Sequence, residues 1–190
     1  MQEVLCHEGA KASRAVWLGE RQQVLTTGFK KGASDREMAL FDVRNLSARL
    51  TSVDLDSIPS SLFPFFDADL GIVYLVGKGD GNIRIFELND SAKPLEAAGE
   101  FRSSQAQAGF AMLPKSSCDV MRCEVARFLK LQGNSVVPIR FEVTRQNVGH
   151  MFHNDLFPDT FDGKPVYAAD EWFEGATKTP NRKSLNPEHA

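Results

Sequence analysis

The sequence predicts an all-β fold assembled from repeated antiparallel units. Three observations carry this. Short apolar runs alternate with turn-forming residues, the pattern recurs at a fixed interval, and stretches with helical periodicity are few. The first unit opens with residues 12–18, ending in Ala15-Val16-Trp17-Leu18. A second run follows at 23–29 and a third at 37–43, the last holding Leu40-Phe41-Asp42. Between them, Lys30-Lys31-Gly32-Ala33-Ser34-Asp35 has the composition of a loop.

The set then recurs. Residues 62–66 and 72–76 precede the turn Gly77-Lys78-Gly79-Asp80-Gly81, and residues 82–88 follow it. In this last run, Ile83-Arg84-Ile85-Phe86-Glu87-Leu88 alternates apolar and polar, as a strand with one covered face does. Asp35 and Asp80 are 45 residues apart, and so are Phe41 and Phe86. That interval is the length of one WD-type propeller blade. A looser third unit comprises 108–113, 123–131 and 136–143, with a short helix or long loop at 114–122. Residues 124–130 alone have a helical reading, but the neighbouring 136–143 favours a strand hairpin.

Composition sets outer limits. The chain has 190 residues, 42% apolar and 25% charged, the balance of a folded globular protein. No run approaches the roughly 18 apolar residues of a membrane span, and no apolar secretion segment follows Met1. A net charge of -3 makes no field that gathers nucleic acid. Cys6, Cys118 and Cys123 are odd in number and widely spaced, which predicts reduced thiols in the cytosol. Residues 1–149 hold 18 acidic and 18 basic side chains, whereas 150–190 hold seven and four. Three of the four histidines also lie in the last stretch. The expected organisation is a body, 1–149, and an extension, 150–190.

A WD blade is locked by a polar relay: a His near its start, a Ser or Thr on the second strand, an Asp in the tight turn and an aromatic on the third strand. Buried turns need such partners for their polar groups. In the first unit His7 precedes Glu8-Gly9, Thr26 or Thr27 lies on the second strand, and Asp35 stands in the turn. Phe41-Asp42 takes the Trp-Asp position, so the indole donor is lost. The second unit keeps Asp80 and Phe86 but has no His before them.

An ordered set of segments resembles the coronin family. It comprises Ser13-Arg14-Ala15-Val16-Trp17-Leu18, Thr26-Thr27-Gly28-Phe29, Leu75-Val76-Gly77-Lys78-Gly79-Asp80 and Cys123-Glu124-Val125-Ala126-Arg127-Phe128. Asp155-Leu156-Phe157-Pro158-Asp159-Thr160 and Asp170-Glu171-Trp172-Phe173-Glu174-Gly175 complete it. The resemblance runs from about His7 to about Leu185. It implies a seven-bladed propeller that binds actin filaments, an extension packed on it, a linker and a coiled coil. On that plan the chain looks like the end of the fourth blade, blades five to seven, and the extension. The implied partners are actin filaments and, through a coiled coil that this sequence lacks, the actin-branching complex. The implied location is cytoplasmic, at the actin-rich cortex. No membrane span and no nucleic-acid partner are implied.

Other constellations carry less. Cys118, Cys123, His150 and His153 offer zinc-type donors, but C-x4-C with H-x2-H is not a usual finger spacing. A buried core thiol and polar tail histidines are the expected reading. Adjacent Cys6 and His7 on an extended segment point to opposite sides, so a nucleophile pair is not expected. The Gly77–Gly81 turn lacks Walker spacing and leads into a strand rather than a helix. The expectation is therefore no catalytic, cofactor or metal site.

The tail mixes large aromatics with acids, and Phe157, Trp172 and Phe173 are expected to dock it, because free aromatics would be sticky. Lys11, Arg14, Arg21, Lys30, Lys31, Arg36 and Arg44 crowd the first unit. Filaments are acidic, so Lys30, Lys31 and Arg36 are the candidate actin contacts by charge complementarity. The expected fold is thus about three blades of a WD40-type propeller with an irregular, docked C-terminal extension. The expected function is non-catalytic actin-filament binding, with a generic protein-binding propeller as the alternative. Three blades do not close a ring, so two open blade faces and a tendency to aggregate are expected.

Overall fold

The computed structural model describes residues 3–32 and 34–189. The chain divides into two compact units, Met1–Ala111 with Leu129–Val137, and Met112–Phe128 with Pro138–Ala190. The compositional boundary at residue 149 lies inside the second.

The first unit holds two four-stranded antiparallel sheets. One is β1 (Arg14–Trp17), β2 (Gln23–Phe29), β3 (Asp35–Asp42) and β4 (Thr51–Ser57), paired in that order. The other is β5 (Leu62–Asp67), β6 (Ile72–Gly77), β7 (Asn82–Leu88) and β8 (Leu95–Arg102), also in order. A third sheet has the order β11-β10-β9, from β9 (Gly109–Met112), β10 (Glu124–Gln132) and β11 (Ser135–Glu142). Residues 124–130 are therefore strand, and the 114–122 connection forms two short 3-10 turns.

Burial follows strand position. β6 is an unbroken apolar run because β5 and β7 flank it, and Val73 to Val76 are all buried. On β7, Ile83 is buried from one face and Phe86 and Leu88 from the other. Leu25, Met38 and Leu40 of the first sheet, with Leu18 just after β1, interlock with Leu62, Val73, Leu75, Phe86, Leu88 and Leu95 of the second. Each such side chain contributes about 1.5–3 kcal/mol by leaving water. Outer strands β4 and β8 were not expected from sequence. β4 is half-covered and β8 is mostly exposed, so neither presents a continuous apolar run.

In the second unit, β12 (Thr160–Phe161) pairs with β13 (Arg182–Lys183), and one helical turn, α1, spans Ala169–Phe173. Glu171 Oε2 accepts from the Ala168 backbone N–H at 2.8 Å and Oε1 takes Lys178 at 3.1 Å, which pins the turn. Phe157 is buried beside Leu156. Trp172 and Phe173, expected to dock, instead stand 57% and 78% exposed. Consecutive residues on a helix diverge by about 100°, so a single turn does not bury both. Their rings stack edge-on, with centroids 5.0 Å apart.

These burials predict that Phe86→Ala costs about 3–5 kcal/mol in urea unfolding, whereas Phe173→Ala stays within about 0.5 kcal/mol of the parent.

Candidate functional site

The polar groups of the first unit gather where the turns meet the sheets. His7 is 4% exposed, and both ring nitrogens are engaged. Nδ1 lies 2.7 Å from Glu37 Oε1, and Nε2 lies 2.9 Å from Thr26 Oγ1. Burial is the largest influence on the imidazole and lowers its pKa; the Glu37 contact raises it by less. The ring is thus held neutral. Its Nδ1–H donates to Glu37, and Nε2 accepts from the Thr26 hydroxyl, which also stands 3.3 Å from the Ala39 carbonyl.

Arg49 completes the chain. Its fork donates to both oxygens of Glu37, at 2.9 and 3.0 Å, and to the Cys6 carbonyl at 2.6 Å. For Glu37, burial alone would raise the pKa, but the bonds from Arg49 and then His7 bring it below the ordinary value.

The expected relay is therefore altered at one member. His7 and Thr26 meet as anticipated in sequence, but the carboxylate that His7 reaches is Glu37. Asp35 accepts from the Ser57 hydroxyl instead. Its place at the start of β3, opposite Ser57, puts it at the sheet end, two residues short of His7's level. Thr27 donates to the Leu62 carbonyl at 2.7 Å and so joins the two sheets. Phe41 and Phe86 are buried third-strand aromatics. Asp42 is held at a pKa of about 2 by the Arg44 side chain.

Gly28 makes the relay sterically feasible. A Cβ there would lie 2.3 Å from His7 Cγ, so only glycine leaves room for the ring. Thr–His–Glu in line matches the order of a nucleophile triad. Here the hydroxyl is buried in the sheet, and the arrangement holds a strand end in place.

The second sheet solves the same problem with arginine. Arg36 is 1% exposed. It donates to Asp56 through Nε at 2.5 Å and Nη2 at 2.6 Å, and to Asp80 Oδ2 through Nη1 at 2.8 Å. Ser60 donates to the other Asp80 oxygen at 3.1 Å, and Arg84 donates to Asp56. Burial opposes the Arg36 charge, but the Asp56 and Asp80 bonds outweigh it and the guanidinium is held charged above its ordinary pKa. Asp80 thus occupies its expected turn, and Arg36 with Ser60 takes the place of the missing histidine. Gly77 leaves space for it: a Cβ there would lie 2.3 Å from Asp80 Oδ2.

This overturns one candidate actin contact. Arg36 is a buried joint between sheets and presents no charge to a partner. The rest of the basic cluster is largely spent inside the chain. Arg21 pairs with Asp90 at 2.5 Å, Lys30 with Asp54 at 2.6 Å, and Arg44 with Asp42. Lys11 lies over the Phe29 ring and Arg14 over the Phe63 ring. Lys31 is exposed in the turn before β3.

In the second unit, Glu124 is fully buried and takes the Arg127 fork and the Asp119 backbone N–H, the latter at 2.6 Å. Cys123 is buried, which raises its thiol pKa. Among the described residues, no group of three His, Cys, Asp or Glu side chains is placed to hold a metal ion.

The sequence reading missed Glu37, Arg49, Asp56, Ser60 and Arg84. The alternation of Val53, Asp54, Leu55 and Asp56 was a usable signal for β4, whereas the inward turn of Asp56 comes from the bulge at Leu55, which alternation does not predict.

A family model described as a type of WD40 repeat matches residues 136–180. Coronin-A of Dictyostelium discoideum is 40% identical over 185 residues, covering 97% of this chain and 40% of that protein. Coronin-2A of Mus musculus is 38% identical over 95% of this chain and 34% of its own length. The crystal structure of the WD40 domain from Toxoplasma gondii coronin matches with a TM-score of 0.90 at 36% identity, over 97% of this chain and 47% of that one.

The chain is a homologue of the coronins. Its antiparallel sheets are WD40-type propeller blades, and it spans about two-fifths of the length of the coronin relatives it matches.

The relay has a pH signature. His7 has a folded pKa below its ordinary 6.5, so the unfolded chain takes up the proton first. Stability is full above about pH 6.5 and declines as pH falls below it. Glu37, with its lowered pKa, adds a further loss below its ordinary 4.5. Urea titrations from pH 7.5 to 5.5 are expected to show this decline in the parent and a flatter profile in His7→Gln.

Proposed function

We propose that the chain is the C-terminal propeller portion of an actin-filament-binding regulator that works through protein contacts and without catalysis. The observation that carries this reading is 40% identity to Coronin-A over 97% of the chain. The family resemblance implies filament binding, a cytoplasmic location on the actin-rich cortex, and association with the actin-branching complex through a coiled coil beyond the shared region. The Thr26–His7–Glu37 line supports the absence of catalysis, because its hydroxyl is enclosed.

Lys30 and Lys31 are the proposed filament-facing cations of this chain. They sit in an exposed turn, and Lys30 exchanges its Asp54 partner for a filament carboxylate at little cost, since exposed ion pairs contribute about 0–1 kcal/mol. Phe157 is proposed to anchor the extension.

One observation favours a second reading, a scaffold that binds other proteins without touching actin. Most of the cations expected to face a filament are neutralised within the chain.

High-speed co-sedimentation with actin filaments at 50 and 200 mM salt separates the two. The full-length parent protein is expected to pellet with filaments, less so at high salt. Lys30→Ala/Lys31→Ala is expected to lower the pelleted fraction several-fold at low salt. A full-length parent that stays in the supernatant at both salts removes the actin reading and leaves the scaffold.

A further inference from the structure

A cleft of about 410 Å³ opens where the β6–β7 turn meets the end of β8, lined by Ile58, Asp80, Asn82, Arg84, Arg102 and Ser103, among others. It borders the Arg36–Asp56–Asp80 network. Arg36 uses all three of its nitrogens in that network, but Arg84 has one that is not used. Its Nη2 donates to Asp56, whereas Nη1 is shielded from solvent and has no hydrogen-bond partner among the described residues. A buried guanidinium N–H left unpaired is costly, so an acceptor that reaches it is favoured.

Charge decides what that acceptor is. Arg36, Arg84 and Arg102 are balanced by Asp56, Asp80 and Glu100, each within hydrogen-bonding distance of its partner. The lining has no net charge to draw in an anion, and the carboxylates of Asp80 and Glu100 would repel one. The best-matched acceptor is a neutral carbonyl. Ile58, 37% exposed, adds an apolar wall beside these polar groups. An unpaired donor next to an apolar wall is the arrangement that reads an extended peptide, with a main-chain carbonyl bonded and one side chain packed. The turn stays thin at this point, because a Cβ on Gly81 would lie 2.6 Å from the Ser103 carbonyl.

We propose that this cleft binds an extended, uncharged peptide segment of a partner protein, with a peptide carbonyl on Arg84 Nη1 and a small apolar side chain against Ile58. A slight turn of the Arg84 fork presents Nη1 to the ligand while Nη2 stays on Asp56. The site is independent of filament binding and draws on both sheets, with Asp56 from β4, Ile58 just after it, and Arg84 from β7.

The test is an NMR titration of the isotope-labelled 190-residue chain with the blocked tripeptide N-acetyl-Ala-Ala-Ala-amide, and in parallel with inorganic phosphate. The tripeptide is expected to produce saturable shifts at the backbone amides of 79–84 and 100–103 and at the Arg84 guanidinium. Phosphate is expected to produce none. Arg84→Lys keeps a cation for Asp56 but lacks the second arm, and is expected to weaken the tripeptide at least about tenfold. If that variant does not fold, Ile58→Asp at the exposed wall is expected to weaken it similarly. The proposal is overturned if no saturable shift appears at these residues. It is equally overturned if phosphate saturates them, or if the folded variant used binds the tripeptide as tightly as the parent.

Discussion

A guanidinium enclosed by protein has to find its counter-charges inside the fold, and Arg36 finds them in two different sheets. Asp56 faces it across the β3–β4 ladder, and Asp80 reaches it from the β6–β7 turn. Removing one carboxylate from a buried group of this kind costs about 3–5 kcal/mol, because the remaining charge is stranded. The surrounding geometry follows from that demand. The β3–β4 register shifts between Arg36 and Glu37, leaving Leu55 as the extra residue on β4. This keeps Asp56 opposite Arg36 and Asp54 opposite Glu37. The two successive charges of β3 then serve opposite sides of the sheet: Arg36 ties the first blade to the second, and Glu37 holds His7 within the first.

The same vacancy at the end of a blade's second strand is filled in different ways. Gly28 leaves room for the His7 ring, and Gly77 leaves room for the Asp80 carboxylate. On β10, Lys130 is itself buried and reaches the Gln105 carbonyl, with burial lowering its pKa. A repeat fold therefore conserves the need to satisfy a buried turn rather than any one residue that does it. That is why the second blade lacks a histidine without losing its closure.

Much of the fold was legible in the sequence because inner strands carry a strong apolar signal. β2, β6 and β7 had nearly their observed bounds. β8 did not, because Leu95-Glu96-Ala97-Ala98-Gly99-Glu100 acquires strand conformation from pairing with β7, not from its own pattern. At the site, His7 and Thr26 were legible from spacing. Glu37 was not, because nothing in composition separates it from Asp35, which lies on the same face of the strand. Arg36 misled for a related reason. It sits among Lys30, Lys31 and Asp35, a cluster whose composition reads as a solvated loop, but β3 begins at Asp35 and alternation turns residue 36 inward. Trp172 and Phe173 misled in the opposite sense. Size suggested docking, but a helix of one turn leaves both in solvent.

Function in this account rests on homology to the coronins, and the polar architecture bears on how that function is delivered. Charges that would face a filament are largely committed to holding blades together, so a charge count overstates the binding surface. The central claim is that Arg36 and Asp80 form one energetic unit joining two blades. A double-mutant cycle with Arg36→Met and Asp80→Asn, read by urea unfolding at pH 7, tests it directly. The two substitutions are expected to be non-additive by more than about 1.5 kcal/mol, with the double variant less destabilised than the sum of the singles. Additivity within about 0.5 kcal/mol would contradict the claim and reduce the pair to two independent buried groups.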